Sequence, residues 1–281
     1  MTDRYAVIGY PLGHTISPAF QQAAFDHLNI DACYEAIETP PDQLSHRLDD
    51  LRSGRLTGLN VTIPHKIEIM ASLDHITDTA RLTGAVNTVT ATDDGLKGDN
   101  TDVAAIEEVL RRDNVPTGID CLLLGAGGAA RAALVALSRR GDSVTVANRT
   151  LSHAQQIVRD LAPDSGFNTI ALDSPSLTAV AHDTRLILNT TSIGMHGGPA
   201  PHQSPLPDEA FHAGQTVFDV VYRPATTPLL AAAARAGAGA ECFGGLEMLI
   251  LQGAHSFQIW TGRKPPFDIM LAAGRQALEA S

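Results

Sequence analysis

Four short stretches of this 281-residue chain concentrate side chains able to handle a hydroxyl-rich small molecule. They are Gly13-His14-Thr15-Ile16-Ser17-Pro18, Asn60-Val61-Thr62-Ile63-Pro64-His65-Lys66, Gly84-Ala85-Val86-Asn87-Thr88 and Gly98-Asp99-Asn100-Thr101-Asp102. Together they offer a lysine, Lys66, with a carboxylate from the last stretch, ringed by Asn, Thr and Ser. A lysine beside a carboxylate can take or give a hydroxyl proton as hydride leaves or arrives at the carbon. The amides and hydroxyls would satisfy the remaining substrate hydroxyls, since buried polar groups left unpaired are costly. The chemistry predicted is oxidation of an alcohol, or reduction of a ketone, on a polyhydroxylated substrate.

The hydride needs a carrier, and Cys121 to Thr150 (CLLLGAGGAARAALVALSRRGDSVTVANRT) supplies a place for one. A short apolar run, Cys121 to Leu124, reads as a buried strand. Gly125-Ala126-Gly127-Gly128-Ala129-Ala130 fits G-x-G-x-x-A, and Ala, Leu and Arg residues then favour a helix to Arg140, stopped by Gly141. Val144 to Ala147 reads as a second strand. Gly125 permits a tight turn, Gly127 lets backbone N–H groups approach a pyrophosphate, and Ala130 lets helix and strand pack closely. The positive helix end faces the phosphates. Where an NAD site usually has an acid after the second strand, this chain has Asn148-Arg149-Thr150. A carboxylate would repel a 2′-phosphate and a guanidinium can grip one, which points to NADP.

Both sets of residues require a particular scaffold. Tyr5–Gly9, Cys33–Ile37 and Leu59–Ile63 read as strands. Helices are expected after Ser17, with Pro18 at the first position, over Pro41–Ser53 with Leu44, Leu48 and Leu51 on one face, and around Ile67, Ile69 and Met70. Val86–Ala91 and a strand returning from Gly95 make a hairpin. The alternation predicts a mainly parallel α/β sheet with one antiparallel member. Thr101–Arg112 is expected to be a helix crossing between domains. Strands near Thr169–Leu172, Leu186–Asn189 and Val217–Val220 continue the second sheet, and residues 231–240 read as a helix end with a glycine stop. The helical segment LEMLILQGAHSFQIW and the tail after it are expected to fold back between the domains or onto the first.

Bulk composition fits this layout. Hydrophobic residues make up 44% and charged ones 18%, enough for an ample core, and the length suits two domains. With 31 acidic against 20 basic residues the net charge of −11 disfavours nonspecific binding to nucleic acid or anionic membrane. No run approaches a membrane span, and the first residues lack a signal-peptide pattern. Cys33, Cys121 and Cys242 have no paired spacing and read as reduced, buried small hydrophobes, so the cytoplasm is the expected compartment. The eleven histidines include His14, His65, His196 and His202, yet none has metal-ligand spacing, and no metal is expected.

The four motifs with the glycine loop and NRT resemble the shikimate dehydrogenase family, in order and over essentially the whole chain. The resemblance implies an N-terminal α/β substrate domain with a mainly parallel sheet and a Rossmann NADP-binding domain, flanking a deep cleft that closes on binding. The boundaries implied are 1–103 with 245–281 for the catalytic domain and 104–244 for the nucleotide domain. It also implies reversible NADP-dependent reduction of 3-dehydroshikimate to shikimate, on the route to chorismate and the aromatic amino acids, by a monomer or homodimer. The family's catalytic lysine and aspartate fall on Lys66 and Asp102, whose proton would belong to the pair rather than to either residue. Thr15 and Ser17 match hydroxyls that bind the substrate carboxylate. Asn60, Thr62, Asn87 and Gln252 match ring-hydroxyl contacts, and Tyr222 matches a tyrosine near the carboxylate and nicotinamide. Gly125, Ala126, Gly127, Gly128 and Ala129 match the pyrophosphate loop, and Asn148, Arg149 and Thr150 the 2′-phosphate grip. Thr190, Ser192, Met195, Val220 and Gly245 lie where the family approaches ribose and nicotinamide.

Two positions depart from the family pattern. Thr15 replaces the more usual serine, adding a methyl group to the pocket. His153 stands where a second basic residue is usual, and a neutral histidine holds phosphate less firmly than arginine. These leave open a broader quinate/shikimate dehydrogenase that also accepts NAD. A non-catalytic sensor of shikimate or nucleotide is a reading of another class, against which Lys66 and Asp102 argue. A folate-linked dehydrogenase of similar build gives no reason for Asn60, Asn87 and Asp102.

Overall fold

A computed structural model describes residues 2–13, 15–236 and 241–280. His14 and the glycine stop expected within 237–240 lie outside the described residues. The chain divides into two compact units, Met1–Ala105 with Ile250–Ser281, and Ile106–Leu249.

The first unit is built on a six-stranded sheet. Its elements are β1 (Asp3–Gly9), α1 (Ser17–His27), β2 (Ala32–Glu38), α2 (Leu44–Arg52), β3 (Gly58–Val61), β4 (His75–Ile76), α3 (Asp78–Thr83), β5 (Thr88–Thr92), β6 (Gly95–Asp99) and the start of α4 (Asp102–Arg112). The strand order is β2-β1-β3-β5-β6-β4, and β5 alone runs antiparallel to both its neighbours. That is the single antiparallel member expected from the Gly95 hairpin. Leu44, Leu48 and Leu51 bury one face of α2 against Ile8, Leu59 and Val61 of the sheet. Such an apolar stripe is what holds a short helix whose intrinsic stability is marginal.

Four local expectations need correction. Pro18 is the second rather than the first residue of α1, which begins at Ser17. The Pro41–Ser53 helix begins as a 3₁₀ turn, Pro41–Gln43, before α2. β3 ends at Val61 rather than Ile63, because the chain turns at the cis Ile63–Pro64 bond. The helix expected around Ile67 is a 3₁₀ turn, Glu68–Ser72, that buries Ile69 and leaves Ile67 exposed. A five-residue turn cannot carry both isoleucines inward on one face.

The second unit holds the rest of α4, then β7 (Asp120–Leu124), α5 (Gly128–Arg139), β8 (Ser143–Asn148), α6 (Leu151–Leu161), β9 (Asn168–Ala171), α7 (Leu177–Asp183), β10 (Leu186–Asn189), β11 (Thr216–Asp219), α8 (Pro228–Arg235) and β12 (Glu241–Gly244). Its sheet is wholly parallel, in the order β12-β11-β10-β7-β8-β9. This is the doubly wound order of dinucleotide-binding sheets, with the switch between β7 and β10. β7 and β10 are apolar and almost wholly buried, as strands covered on both faces must be.

Two helices close the chain, α9 (Leu246–Thr261) and α10 (Phe267–Glu279). From Ile250 onward they belong to the first unit, as expected for a tail folding back onto it. Trp260 of α9 stacks near Tyr5 at 4.9 Å and donates to the Val89 carbonyl at 3.2 Å. Phe257 packs on Phe25 at 5.0 Å, and Gly253 lets α9 approach the Phe20 ring on α1. The cysteines differ from expectation: Cys121 is buried, but Cys33 is half-buried and Cys242 exposed. Both lie on edge strands, β2 and β12, where burial is incomplete. Among the described residues no helix is long and apolar enough to cross a membrane.

Candidate active site

Lys66 and Asp102 meet in the first unit. The Lys66 ammonium donates to Asp102 Oδ2 at 2.6 Å, with the carboxylate nearly buried and the lysine partly accessible. Three loops converge to make this pair, one after β3, one between α3 and β5, and one after β6. The Val86 N–H donates to the Lys66 carbonyl at 2.7 Å, and the Asn87 N–H to the Asp99 carbonyl at 3.0 Å. Asn100 Nδ2 donates to the Ala85 carbonyl at 2.9 Å, and the Asp102 N–H to Asn100 Oδ1 at 3.0 Å. His65, fully buried, donates from Nε2 to the Thr39 carbonyl at 2.6 Å and anchors the lysine loop. A carbonyl can only accept, so this nitrogen carries the proton.

The amides expected around the pair are attached to it. Asn87 Nδ2 donates to Asp102 Oδ1 at 2.8 Å, while Asn87 Oδ1 accepts from the Thr101 N–H at 2.9 Å. A backbone N–H can only donate, so the Asn87 amide is fixed with its nitrogen toward the carboxylate. Asn87 also lies 3.4 Å from Gln252 Oε1, which brings α9 to the site. Asn60 sits opposite Thr88 across β3 and β5 and donates to the Asn87 carbonyl at 3.2 Å. Thr62 follows β3, its methyl close against Gly9 at the end of β1. Thr15 Oγ1 donates to Ser17 Oγ at 3.1 Å and accepts from the Ser17 N–H at 3.2 Å, forming a tight hydroxyl pair at the start of α1. One turn on from Ser17, Gln21 donates to the Gly253 carbonyl at 2.9 Å, next to Gln252. Lys66, Asp102, Asn60, Asn87 and Gln252 are thus joined by hydrogen bonds, with Thr15 and Ser17 at the start of α1, which donates through Gln21 to the carbonyl next to Gln252. The sequence reading missed Tyr34 and Ser256 and gave no role to Thr88 within its motif; the hydroxyls of all three lie within the same cluster.

In the second unit the glycine loop has the form its sequence requires. Gly125 has φ +112°, and a β-carbon there would lie 2.5 Å from Thr190 Oγ1. Only glycine suits both the dihedral and the space. Gly127 caps α5 without a side-chain hydrogen bond, and the position a β-carbon would take is open. The first N–H groups of a 12-residue helix therefore have no side chain of residue 127 over them, which fits close approach of a pyrophosphate. Ala126, Gly128 and Ala129 are its other members. Thr190 donates through Oγ1 to the Leu124 carbonyl at 2.6 Å, tying the end of β10 to this loop. Asn148 ends β8 and donates to the Thr150 carbonyl at 2.9 Å; Arg149, Thr150 and His153 are exposed at the start of α6. The residues present thus suit an anionic dinucleotide with a 2′-phosphate.

Beyond β11 the chain is arranged around Asp219. Its buried carboxylate accepts from Asn189 Nδ2 at 2.9 Å, the Val221 N–H at 3.0 Å and Thr227 Oγ1 at 2.6 Å. Burial pushes this carboxyl up to about 6, against the pull of its three donors. It fixes the segments carrying Val220 and Tyr222; burial also raises the Tyr222 phenol above its ordinary value. Ser192 and Met195 are joined by a backbone hydrogen bond of 3.3 Å. Gly245 lies directly on the Val220 backbone.

A dinucleotide-type sheet in one unit and a lysine–carboxylate pair ringed by amides in the other define a nucleotide-dependent oxidoreductase of the alcohol–ketone class. Comparison with known proteins makes the assignment specific. Residues 7–89 match the shikimate dehydrogenase substrate binding domain, and residues 245–273 the shikimate 5′-dehydrogenase C-terminal domain. Shikimate dehydrogenase (NADP(+)) of Anaeromyxobacter sp. is 41% identical, covering 97% of this chain and 95% of that protein. The enzyme of the same name from Nitrosopumilus maritimus is 38% identical, covering 97% and 98%. The crystal structure of Thermus thermophilus shikimate 5-dehydrogenase with NADP(H) and shikimate superposes with a TM-score of 0.88 at 36% identity, covering 98% of this chain and all of that one. The chain belongs to the shikimate dehydrogenase family.

Proposed function

We propose that this protein catalyses the reversible, NADP-dependent reduction of 3-dehydroshikimate to shikimate, and that it does so with the residues assembled above. The observation that carries the reading is the Lys66–Asp102 pair, 2.6 Å apart and joined to Asn87 and Gln252. It stands beside full-length similarity to enzymes named for this reaction. NADP, when bound, supplies the hydride acceptor in one direction and the donor in the other. In the reducing direction Lys66 Nζ gives a proton to the carbonyl oxygen, and in the oxidising direction it takes one from the hydroxyl. Asp102 holds the nitrogen in place and shares the proton. Asn60, Thr62, Asn87 and Gln252 pair with ring hydroxyls, and Thr15 and Ser17 with the carboxylate; Tyr222 is a further substrate contact.

The first unit is accordingly the catalytic domain and the second the nucleotide domain. Gly125, Ala126, Gly127, Gly128 and Ala129 hold the pyrophosphate, Asn148, Arg149, Thr150 and His153 the 2′-phosphate. Thr190, Ser192, Met195, Val220 and Gly245 serve the ribose and nicotinamide end. Three unpaired cysteines suit a reducing, cytoplasmic compartment. The decisive variant is Lys66→Ala. It is expected to lower kcat by about 100- to 10,000-fold while NADP still binds with wild-type affinity. Retention of more than a tenth of the wild-type kcat would remove Lys66 from the proton step.

A further inference from the structure

Ser256 lies on α9, fully buried, with its hydroxyl at the centre of a polar cluster. Asn60 Nδ2 donates to Ser256 Oγ at 2.8 Å, and Ser256 Oγ lies 2.7 Å from Thr88 Oγ1. Thr88 Oγ1 in turn donates to Asn87 Oδ1 at 3.0 Å. At the far side of Asn60, the buried Tyr34 hydroxyl donates to Asn60 Oδ1 at 2.7 Å. A chain of side-chain hydrogen bonds therefore runs Tyr34–Asn60–Ser256–Thr88–Asn87–Asp102 and ends on the Lys66 partner.

Each amide in this chain has a defined direction. Thr101 N–H sets Asn87, as described above. Asn60 is set from both ends, by the Tyr34 hydroxyl on its oxygen and the Ser256 hydroxyl on its nitrogen. Ser256 accepts from Asn60 through a lone pair, which leaves its single proton for Thr88 Oγ1 at 2.7 Å, and the Thr88 proton in turn goes to Asn87 Oδ1. A buried amide with one end unpaired would rotate or draw in water, and either change would misplace the groups aimed at a substrate.

We infer that Ser256 is a positioning residue for substrate, its hydroxyl fixing the Asn60 amide directly and the Asn87 amide through Thr88, with Tyr34 bracing Asn60 from the other side. The inference rests on the reading of Asn60 and Asn87 as substrate-binding residues. Tyr34 acts through Asn60, and Ser256 through both Asn60 and Thr88.

The test is steady-state kinetics on the full chain with shikimate and NADP. Ser256→Ala and Tyr34→Phe are each expected to raise KM for shikimate about tenfold, with KM for NADP within about twofold of wild type. Ser256→Cys, which keeps the volume but bonds weakly, is expected to behave as Ser256→Ala. The double variant Ser256→Ala/Tyr34→Phe should fall short of the product of the two single effects, because both act on one amide. Asn60→Ala serves as the reference. If Asn60→Ala raises KM for shikimate and the Ser256 and Tyr34 variants lower only the melting temperature, the inference is overturned and the site reading stands. If Asn60→Ala leaves KM unchanged, the site reading fails and the inference with it.

Discussion

Gly245 packs against Val220 so closely that a β-carbon on the glycine would overlap the Val220 carbonyl oxygen. The contact joins the end of β12, where α9 begins, to the residue following β11. The obstacle is backbone on both sides, so no rotamer change can relieve it. Gly245 N–H also donates to the Val221 carbonyl at 3.3 Å, which holds the two segments in register.

Gly245→Ala should therefore push the two segments apart. We expect a loss of about 1–3 kcal/mol of stability, the usual cost of forcing a methyl group into packed space, together with a raised Kd for NADP. Thermal unfolding with and without NADP, followed by titration calorimetry, checks both. An unchanged melting temperature and Kd would show that the segments yield without consequence.

The Asp219 carboxyl makes a pH prediction. Its folded value of about 6 lies above the ordinary 3.8, so between these limits the folded protein holds a proton that the unfolded chain releases. Stability from this group is fully present below the ordinary value and is lost as pH rises through about 6. Asp219→Asn removes the titration. The stability of the wild type minus that of the variant should fall by up to roughly 3 kcal/mol between pH 4 and 7. Denaturant unfolding of both proteins across that range is the measurement, and a flat difference would refute the assignment.

His153 makes a prediction about cofactor choice. It lies exposed on the first turn of α6, three residues after the Thr150 cap, close to Arg149 in sequence. An arginine presents a planar fork of donors to a phosphate that a histidine lacks. His153→Arg should tighten NADP binding about tenfold, with NAD affinity as the control for everything except the 2′-phosphate. An unchanged Kd for NADP in the variant would exclude this position from the grip.

The second unit was the more legible of the two. Leu186–Asn189 was expected residue for residue, and the glycine loop announces itself because its dihedrals and close approach to Thr190 admit little but glycine. Apolar runs such as Cys121–Leu124 are legible because a parallel strand buried on both faces needs them. β12 went unseen, since ECFG has no periodicity that sets it apart, and so did β4, with two residues. In the first unit the motif loops were found, but the end of β3 was not, because a turn at Ile63–Pro64 follows a strand of the same apolar character. Ser256 and Tyr34 escaped for another reason. A serine in an apolar helix and a tyrosine in a strand read as packing until the fold shows both meeting Asn60 from opposite ends.

The central claim is that the paired loops oxidise shikimate with NADP, and initial rates of the purified protein test it most directly. Four combinations are needed, shikimate or quinate with NADP or NAD. Shikimate with NADP should dominate, with Arg149 sufficing for the 2′-phosphate although His153 rather than a second arginine stands four residues on. Comparable rates with quinate or NAD would contradict that specificity, and no turnover in any combination would contradict the catalytic reading itself.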